Sequence, residues 1–383
     1  MAYDFETRCI HGKGADGLTE DTCSVSFPIY QTACFSHIKP GHNANGFDYT
    51  RESNPTRSKL EEVITALEGA ADSVALSPGM AAISVCFELF RPGDHILCAE
   101  DLYGGVFRLH KLVNQKNGLE IDYADLRDPA VFEAAIRDNT RAVYLESPTN
   151  PMMNITDLRQ TAEIAHRHGC LLIVDNTFMS PCFQQPLALG ADIVVHSGTK
   201  FLGGHNDTSS GFVCARDPDL AAQLRLLSKT IGGVLAPFDC WLVLRGIKTL
   251  SVRMERQQAN AMAIARWLKE QACVTAVYYP GLPEHPGHDV QSAQASGFGS
   301  MISFRVDSAE TAVHILEHVR LITFAESLGG TESLLTYPVT QTHLDVPEAL
   351  RKKLGIDDTL LRMSVGLESA EDLLEDLRQA MDI

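Results

Sequence analysis

Two stretches, LLIVDNTF (171–178) and HSGTKFLGGHND (196–207), decide how this chain of 383 residues reads. LLIVDN is a short, unbroken apolar run that ends on a carboxylate, Asp175. ADIVVHS (191–197) is a second such run, and Lys200 follows it behind Ser197 and Thr199. Continuous apolar runs of this length predict strands covered on both faces rather than strands with one wet side. A carboxylate at the mouth of one buried strand and a lysine at the mouth of the next describe a site.

Outward from this pair, strand-like and helix-like segments alternate from about 59 to 240. SKLEEVITALEG reads as a helix, with Leu60, Val63, Ile64 and Leu67 at helical spacing. GMAAISVCFELF reads as another, HILCA and AVYLES as strands, and PAVFEAAIRDN as a helix between them. TDLRQTAEIAHRHG is a helix opened by Thr156 or Asp157 and closed by Gly169. GFVCA is a further strand. The alternation predicts an α/β domain with a mostly parallel central sheet wrapped by helices. Ligands of such sheets collect beyond the carboxyl ends of the strands.

On either side the texture changes. Residues 1–58, with KPGHNANGFDYTRESNPTR, show no sustained period and read as an N-terminal arm that lies on something else, such as a neighbouring subunit. Residues 241–383 read as a smaller α+β C-terminal domain. It is entered by one long helix, CWLVLRGIKTLSVRMERQQANAMAIARWLKEQ, and contains strand-like ACVTAVYY and GSMISFRV before the terminal helix SAEDLLEDLRQAMD.

Composition sets bounds. The chain is 45% hydrophobic and 21% charged, with a formal net charge of −17, which argues against a nucleic-acid partner. Small anions are a different matter, because helix N-termini and a few local cations hold them inside acidic proteins. No apolar stretch approaches the ~20 residues of a membrane span, and MAYDFETRCIHGKG carries no signal-peptide pattern, so the expected location is cytoplasmic. The ten cysteines include no C-x-x-C pair, and Cys98, Cys170 and Cys214 sit inside apolar runs as small hydrophobes. His166 and His168 face different sides of a helix, and His285 and His288 fall in a Pro/Gly-rich loop with surface roles. No metal is expected.

The Asp175–Lys200 pair suits a cofactor carrying an aldehyde, a phosphate, and a ring nitrogen that needs an anion beside it. Pyridoxal 5'-phosphate has all three. The same letters also fit a surface lysine after a strand and an aspartate capping a turn. Nine blocks carry a resemblance that separates these readings. They are YTRESNPTR (49–57), SPGMAA (77–82), DLYGG (101–105), ESPTNP (146–151), VDNTF (174–178), HSGTKFLGGHND (196–207), PFDCWLVLRGIKTLSVRMERQQANA (237–261), AESLGGTESL (325–334) and LLRMSVGLES (360–369). In this order and spacing the chain resembles the cystathionine gamma-synthase and cystathionine lyase family, the pyridoxal-phosphate enzymes of Cys/Met metabolism.

The resemblance implies an aspartate-aminotransferase-like fold (fold type I) and roles for particular residues. Lys200 bonds the cofactor aldehyde and later moves protons, which requires a lowered pKa. Asp175 keeps the ring nitrogen protonated, with Thr177 beside it. Gly79 and Met80 open a helix whose N–H groups meet the phosphate, aided by the hydroxyls of Ser197 and Thr199. Tyr49 and Arg51 reach the phosphate of a neighbouring subunit, although an ordinary exposed turn fits them equally. Tyr103 stacks on the ring and helps move protons, and Asn150 contacts the ring hydroxyl and the substrate carboxylate. Arg362 grips that carboxylate with Ser327 supporting it, where an interdomain salt bridge is the plainer role. Glu326, unless simply exposed, receives a distal ammonium. In the resembled family, acidic residues there go with homoserine esters or cystathionine.

The expected reaction is γ-replacement on an O-acylated homoserine by cysteine, giving cystathionine, in a homotetramer of dimers with shared sites. GGHND (203–207) and TYPVTQTHLDVPE (336–348) resemble gamma-synthase or O-acetylhomoserine sulfhydrylase members more than lyases. Cystathionine beta- or gamma-lyase and O-acetylhomoserine sulfhydrylase are the alternatives. Departures from the family pattern are Gly198 in place of alanine, which should be harmless, Val106 and Phe107 after YGG, and the polar TSSG (208–211). A catalytically idle cofactor-binding protein predicts the same fold without turnover. A nicotinamide oxidoreductase lacks its G-x-G-x-x-G at a strand–helix junction here.

Overall fold

The computed structural model describes residues 3–12, 24–43, 45–344 and 346–382. Parts of the predicted arm, and Asp345 within TYPVTQTHLDVPE, lie outside the described residues. The five runs read as strands join two segments that were not singled out, Asp72–Leu76 and Glu120–Ala124, in one seven-stranded sheet of β1 (Asp72–Leu76), β2 (His95–Ala99), β3 (Glu120–Ala124), β4 (Thr140–Glu146), β5 (Leu171–Asp175), β6 (Ile193–Ser197) and β7 (Gly211–Ala215). Its order is β1-β7-β6-β5-β4-β2-β3. The pairs from β3 across to β6 are parallel, and β7 runs against both β6 and β1. Helices cover both faces, which is why β2 and β7 are buried at every position.

A second, five-stranded sheet holds β8 (Val274–Tyr278), β9 (Met301–Val306), β10 (Thr323–Phe324), β11 (Leu334–Thr336) and β12 (Leu360–Ser364), in the order β8-β9-β12-β11-β10. It has its own apolar core, in which Ile264, Tyr279, Phe304, Leu361 and Leu377 meet. The chain thus carries an α/β unit and a smaller, mainly antiparallel one. The helix predicted between Thr156 and Gly169 spans Leu158–Arg167 and is capped by Asp157, whose side chain accepts from the Gln160 N–H. Gly169 follows in the left-handed region, at φ +69°.

Three expectations need correction. The long helix is two helices, Pro237–Ile247 and Leu250–Leu268. Buried Arg253 breaks it by donating to Gly246 O (2.9 Å) and to Phe201 O (2.8 Å), drawing the first helix's end onto the loop behind Lys200. Part of the arm packs on its own chain: Phe5–His11 is helical, Arg8 donates to Ala66 O at 2.7 Å, and Cys9 is buried in the main core. His285 is buried rather than at the surface, and burial holds its pKa down to about 4. Cys98, Cys170 and Cys214 are free and buried. Among the described residues no helix is long and apolar enough to cross a membrane, and no group of three or more His, Cys, Asp or Glu side chains is placed to hold a metal.

Candidate active site

Strands β4, β5 and β6 end side by side on Glu146, Asp175 and Ser197, and a cavity of about 220 Å³ opens beyond them. All the predicted site residues line it except Tyr49 and Arg51. Those two sit on the surface. Tyr49 is exposed, and Arg51 lies over its ring (5.7 Å) and donates to Lys229 O at 2.6 Å.

Lys200 is a turn past β6. Its Nζ donates to Ser327 Oγ at 2.9 Å. Burial, with the Arg362 charge assisting and Glu326 opposing, pushes its pKa down to about 8. At the end of β5, Asp175 accepts from the Thr177 N–H (2.9 Å) and from the Tyr144 hydroxyl (3.5 Å). Burial nevertheless raises its pKa. Thr177 Oγ1 in turn accepts from the Ser197 N–H at 2.8 Å, fixing the two strand ends to each other.

The helix Gly79–Phe87 starts at the cavity floor, and the first N–H groups of a helix have no acceptor within it. A side chain at Gly79 would press on Ser197 Cα and Cβ at 3.0 Å, so only glycine lets backbone approach this closely. Thr199 is placed there too, but its hydroxyl donates to Ser210 O (3.2 Å) and accepts from the Ser210 N–H (3.0 Å). Ser209, from the unusual TSSG run, also lines the cavity. Gly198 is not interchangeable with alanine. A methyl group there would collide with the Phe212 ring and Ser210 Oγ, so Phe212 occupies the space that alanine would need.

At the opposite wall lies Arg362 on β12, 1% exposed. Its Nη1 donates to Asn150 Oδ1 (2.8 Å), and its Nη2 donates to Ser327 O (3.0 Å) and Thr336 Oγ1 (3.1 Å). Nε is buried with no partner. All the partners are neutral, and burial lowers the Arg362 pKa to about 10. A buried cation with an unmade donor is a receptor for an anion. Glu326 faces the same space, and burial raises the Tyr103 phenol pKa with Glu326 adding to it.

Three side chains that the sequence did not single out as site residues also shape the cavity, two on its wall and one behind Asn150. Glu146, inside ESPTNP, accepts from the Tyr103 N–H at 2.8 Å. Thr342 lines the cavity. His343, beside it, is buried and donates through Nε2 to Asn150 O at 2.9 Å, with Nδ1 bonded to Thr342 Oγ1. The available signals were the carboxylate at the end of AVYLE, for Glu146, and TQTH in a loop, for the other two.

A helix start lined by glycine, a carboxylate at a neighbouring strand end and a buried lysine of lowered pKa, all on one cavity, are the donor set that pyridoxal 5'-phosphate requires. The comparisons agree. The family model described as "Cys/Met metabolism PLP-dependent enzyme" matches residues 6–382, and the chain belongs to that family. It is 47% identical over 379 residues to a cystathionine gamma-lyase of Bacillus subtilis (98% of this chain, 99% of the relative). It is 45% identical over 379 residues to a cystathionine beta-lyase of Lactococcus lactis subsp. cremoris (98% of each). Among solved structures, cystathionine gamma-synthase of Xanthomonas oryzae pv. oryzae with bound aminoacrylate and cysteine superposes with a TM-score of 0.96 at 42% identity, covering 100% of this chain and 98% of that one. The chain is therefore a pyridoxal-phosphate enzyme of Cys/Met metabolism with the fold of the cystathionine synthases and lyases.

Proposed function

We propose that the chain makes the carbon–sulfur bond of cystathionine by γ-replacement, joining cysteine to an O-acyl-L-homoserine. The observation that carries this reading is Arg362, a buried guanidinium with an unmade Nε donor and only neutral hydrogen-bond partners, lining the same cavity as the Glu326 carboxylate. An α-amino acid places its carboxylate on Arg362 and directs its side chain toward Glu326, which accepts the ammonium of the second amino acid. Lys200, whose pKa burial lowers to about 8, takes protons from one substrate carbon and returns them to another. Ser327 Oγ holds the lysine nitrogen in place. Tyr103 covers the ring face and Asn150 orients the substrate carboxylate. Gly79, Met80, Ser197 and Thr199 hold the phosphate. Asp175, with Thr177 fixing it, holds the ring nitrogen's proton. When bound, pyridoxal phosphate supplies the electron sink that makes these carbon acids removable.

The exposure of Tyr49 and Arg51 supports a homotetramer of dimers, in which Tyr49 and Arg51 of the partner subunit close the phosphate end. Light scattering and the cofactor affinity of Arg51→Ala test this assembly. A cytoplasmic location accords with small amino-acid substrates. A second reading, cystathionine beta- or gamma-lyase, is favoured by the names of the two curated relatives. The deciding experiment supplies purified holoenzyme with O-acetyl- or O-succinylhomoserine plus cysteine, and separately with cystathionine alone. Cystathionine formed in the first assay supports the synthase. Pyruvate or 2-oxobutyrate released only in the second assigns a lyase.

A further inference from the structure

Glu146 and Asp175 are register partners at the carboxyl ends of adjacent parallel strands, so two carboxyl groups enter one buried cavity side by side. Glu146 is 6% exposed. Its Oε1 accepts from the Tyr103 N–H at 2.8 Å. The groups facing it are Asp175, Asp101, Tyr103 and Tyr144, all acids or phenols. Among the described residues no lysine or arginine forms an ion pair with either Glu146 or Asp175, and the cavity's cations, Lys200 and Arg362, bond instead to Ser327, Asn150 and Thr336.

Two carboxyl groups at neighbouring strand ends, with no lysine or arginine paired to either and only the His196 ring acting on Asp175 from the cationic side, do not both ionise in a low-dielectric site. The cofactor ring brings one positive charge, which neutralises one of them. The two differ in what they touch. Asp175 has the Thr177 N–H and the Tyr144 hydroxyl to stabilise an anion. Glu146 accepts the Tyr103 N–H at one oxygen, so it has one donor to stabilise an anion against the two of Asp175. Burial and the neighbouring Asp175 charge push its pKa well above the carboxylate range.

We infer that Glu146 is a positioning residue working as a neutral acid: it keeps the pair's single proton, leaving Asp175 as the one anion offered to the ring, while its Oε1 latches the Tyr103 loop over the cofactor. This rests on Asp175 being the ring's partner, and it adds a residue for which no role was expected. The assignment also explains why a second acid at this strand end is tolerated at all: a neutral carboxyl costs far less to bury than a second charge.

The test uses purified holoprotein and two readouts besides turnover. Infrared difference spectra of wild type against Glu146→Gln, at about pH 7, should show the carbonyl band of a protonated carboxyl lost in the variant. A carboxylate band lost instead overturns the inference. Cofactor dissociation constants form the second arm. Glu146→Gln, which keeps a neutral acceptor for the Tyr103 N–H, should stay within about threefold of wild type. Glu146→Ala, which leaves that N–H unpaired, should loosen the cofactor by about tenfold or more. Glu146→Gln loosening it as much as Asp175→Asn contradicts a neutral Glu146, and a wild-type constant in Glu146→Ala contradicts the latch. Asp175→Asn is the separate control. If its cofactor absorbance and affinity are unchanged, the ring-partner role of Asp175 fails, while the infrared arm still reports the protonation of Glu146.

Discussion

Arg362 and Asn150 are joined by a hydrogen bond of 2.8 Å from a guanidinium Nη1 to a side-chain carbonyl, across the boundary between the two sheets. The bond ties a residue of the small sheet to a loop of the large one, while Arg362 Nε makes no hydrogen bond. Charged hydrogen bonds of this kind are worth about 1.5–3 kcal/mol each. Arg362→Ala should therefore raise KM for amino-acid substrates by about a hundredfold, with the absorbance of bound cofactor retained. Arg362→Lys should recover only part of the loss, because an ammonium lacks the fork. Steady-state kinetics and a cofactor spectrum on the same samples check both.

His343 steadies this arrangement from behind by donating to the Asn150 carbonyl. Burial holds its pKa down to about 4. Between about 6.5 and 4 the unfolded chain therefore binds a proton that the folded chain refuses, and unfolding free energy falls as pH falls through that window. Asp101, raised to about 6 by burial, works in the opposite sense, so the test is a difference between variants. His343→Gln should lose about 2–3 kcal/mol less than wild type from pH 6.5 to 4, measured by urea unfolding at each pH.

The pH dependence of cofactor capture follows from Lys200. Only the neutral amine attacks an aldehyde, so the apoprotein's capture rate should rise with pH and level off above about 8. An ordinary lysine would keep rising toward 10.5. Removing the neighbouring charge in Arg362→Ala should move the midpoint upward by a fraction of a unit, since burial is the larger cause and remains. Stopped-flow absorbance across pH gives both values.

Gly198→Ala tests the packing behind the lysine loop. The added methyl meets Phe212 and Ser210 Oγ, and overpacking of this kind costs about 1–3 kcal/mol. Thermal unfolding should show the loss, and Phe212→Leu in the same chain should restore most of it.

Much of this was legible in the letters. Asp175 and Lys200 could be read because each follows a continuous apolar strand, and the strand itself delivers the residue to the sheet's carboxyl edge. Gly79 was readable because a glycine after SP at a helix start has few other uses. Glu146 was not, although it ends AVYLE in the same way: its meaning depends on the register that sets it beside Asp175, and register is a property of pairing. The break between Pro237–Ile247 and Leu250–Leu268 also escaped the helical pattern, since Arg253 bonds there to Gly246 O at the end of the first helix and to Phe201 O of a distant loop. Gly198 was expected to be harmless because the ring that fills the neighbouring space lies on another strand. Tyr49 and Arg51 are displayed on the surface, where one chain alone gives them no phosphate to meet.

The most direct test reduces the holoenzyme with borohydride and maps the modified peptide by mass spectrometry. The pyridoxyl group should be found on Lys200, within HSGTK, and should be absent from Lys200→Ala. A label on another lysine, or an unlabelled wild-type chain, would contradict the assignment of the site.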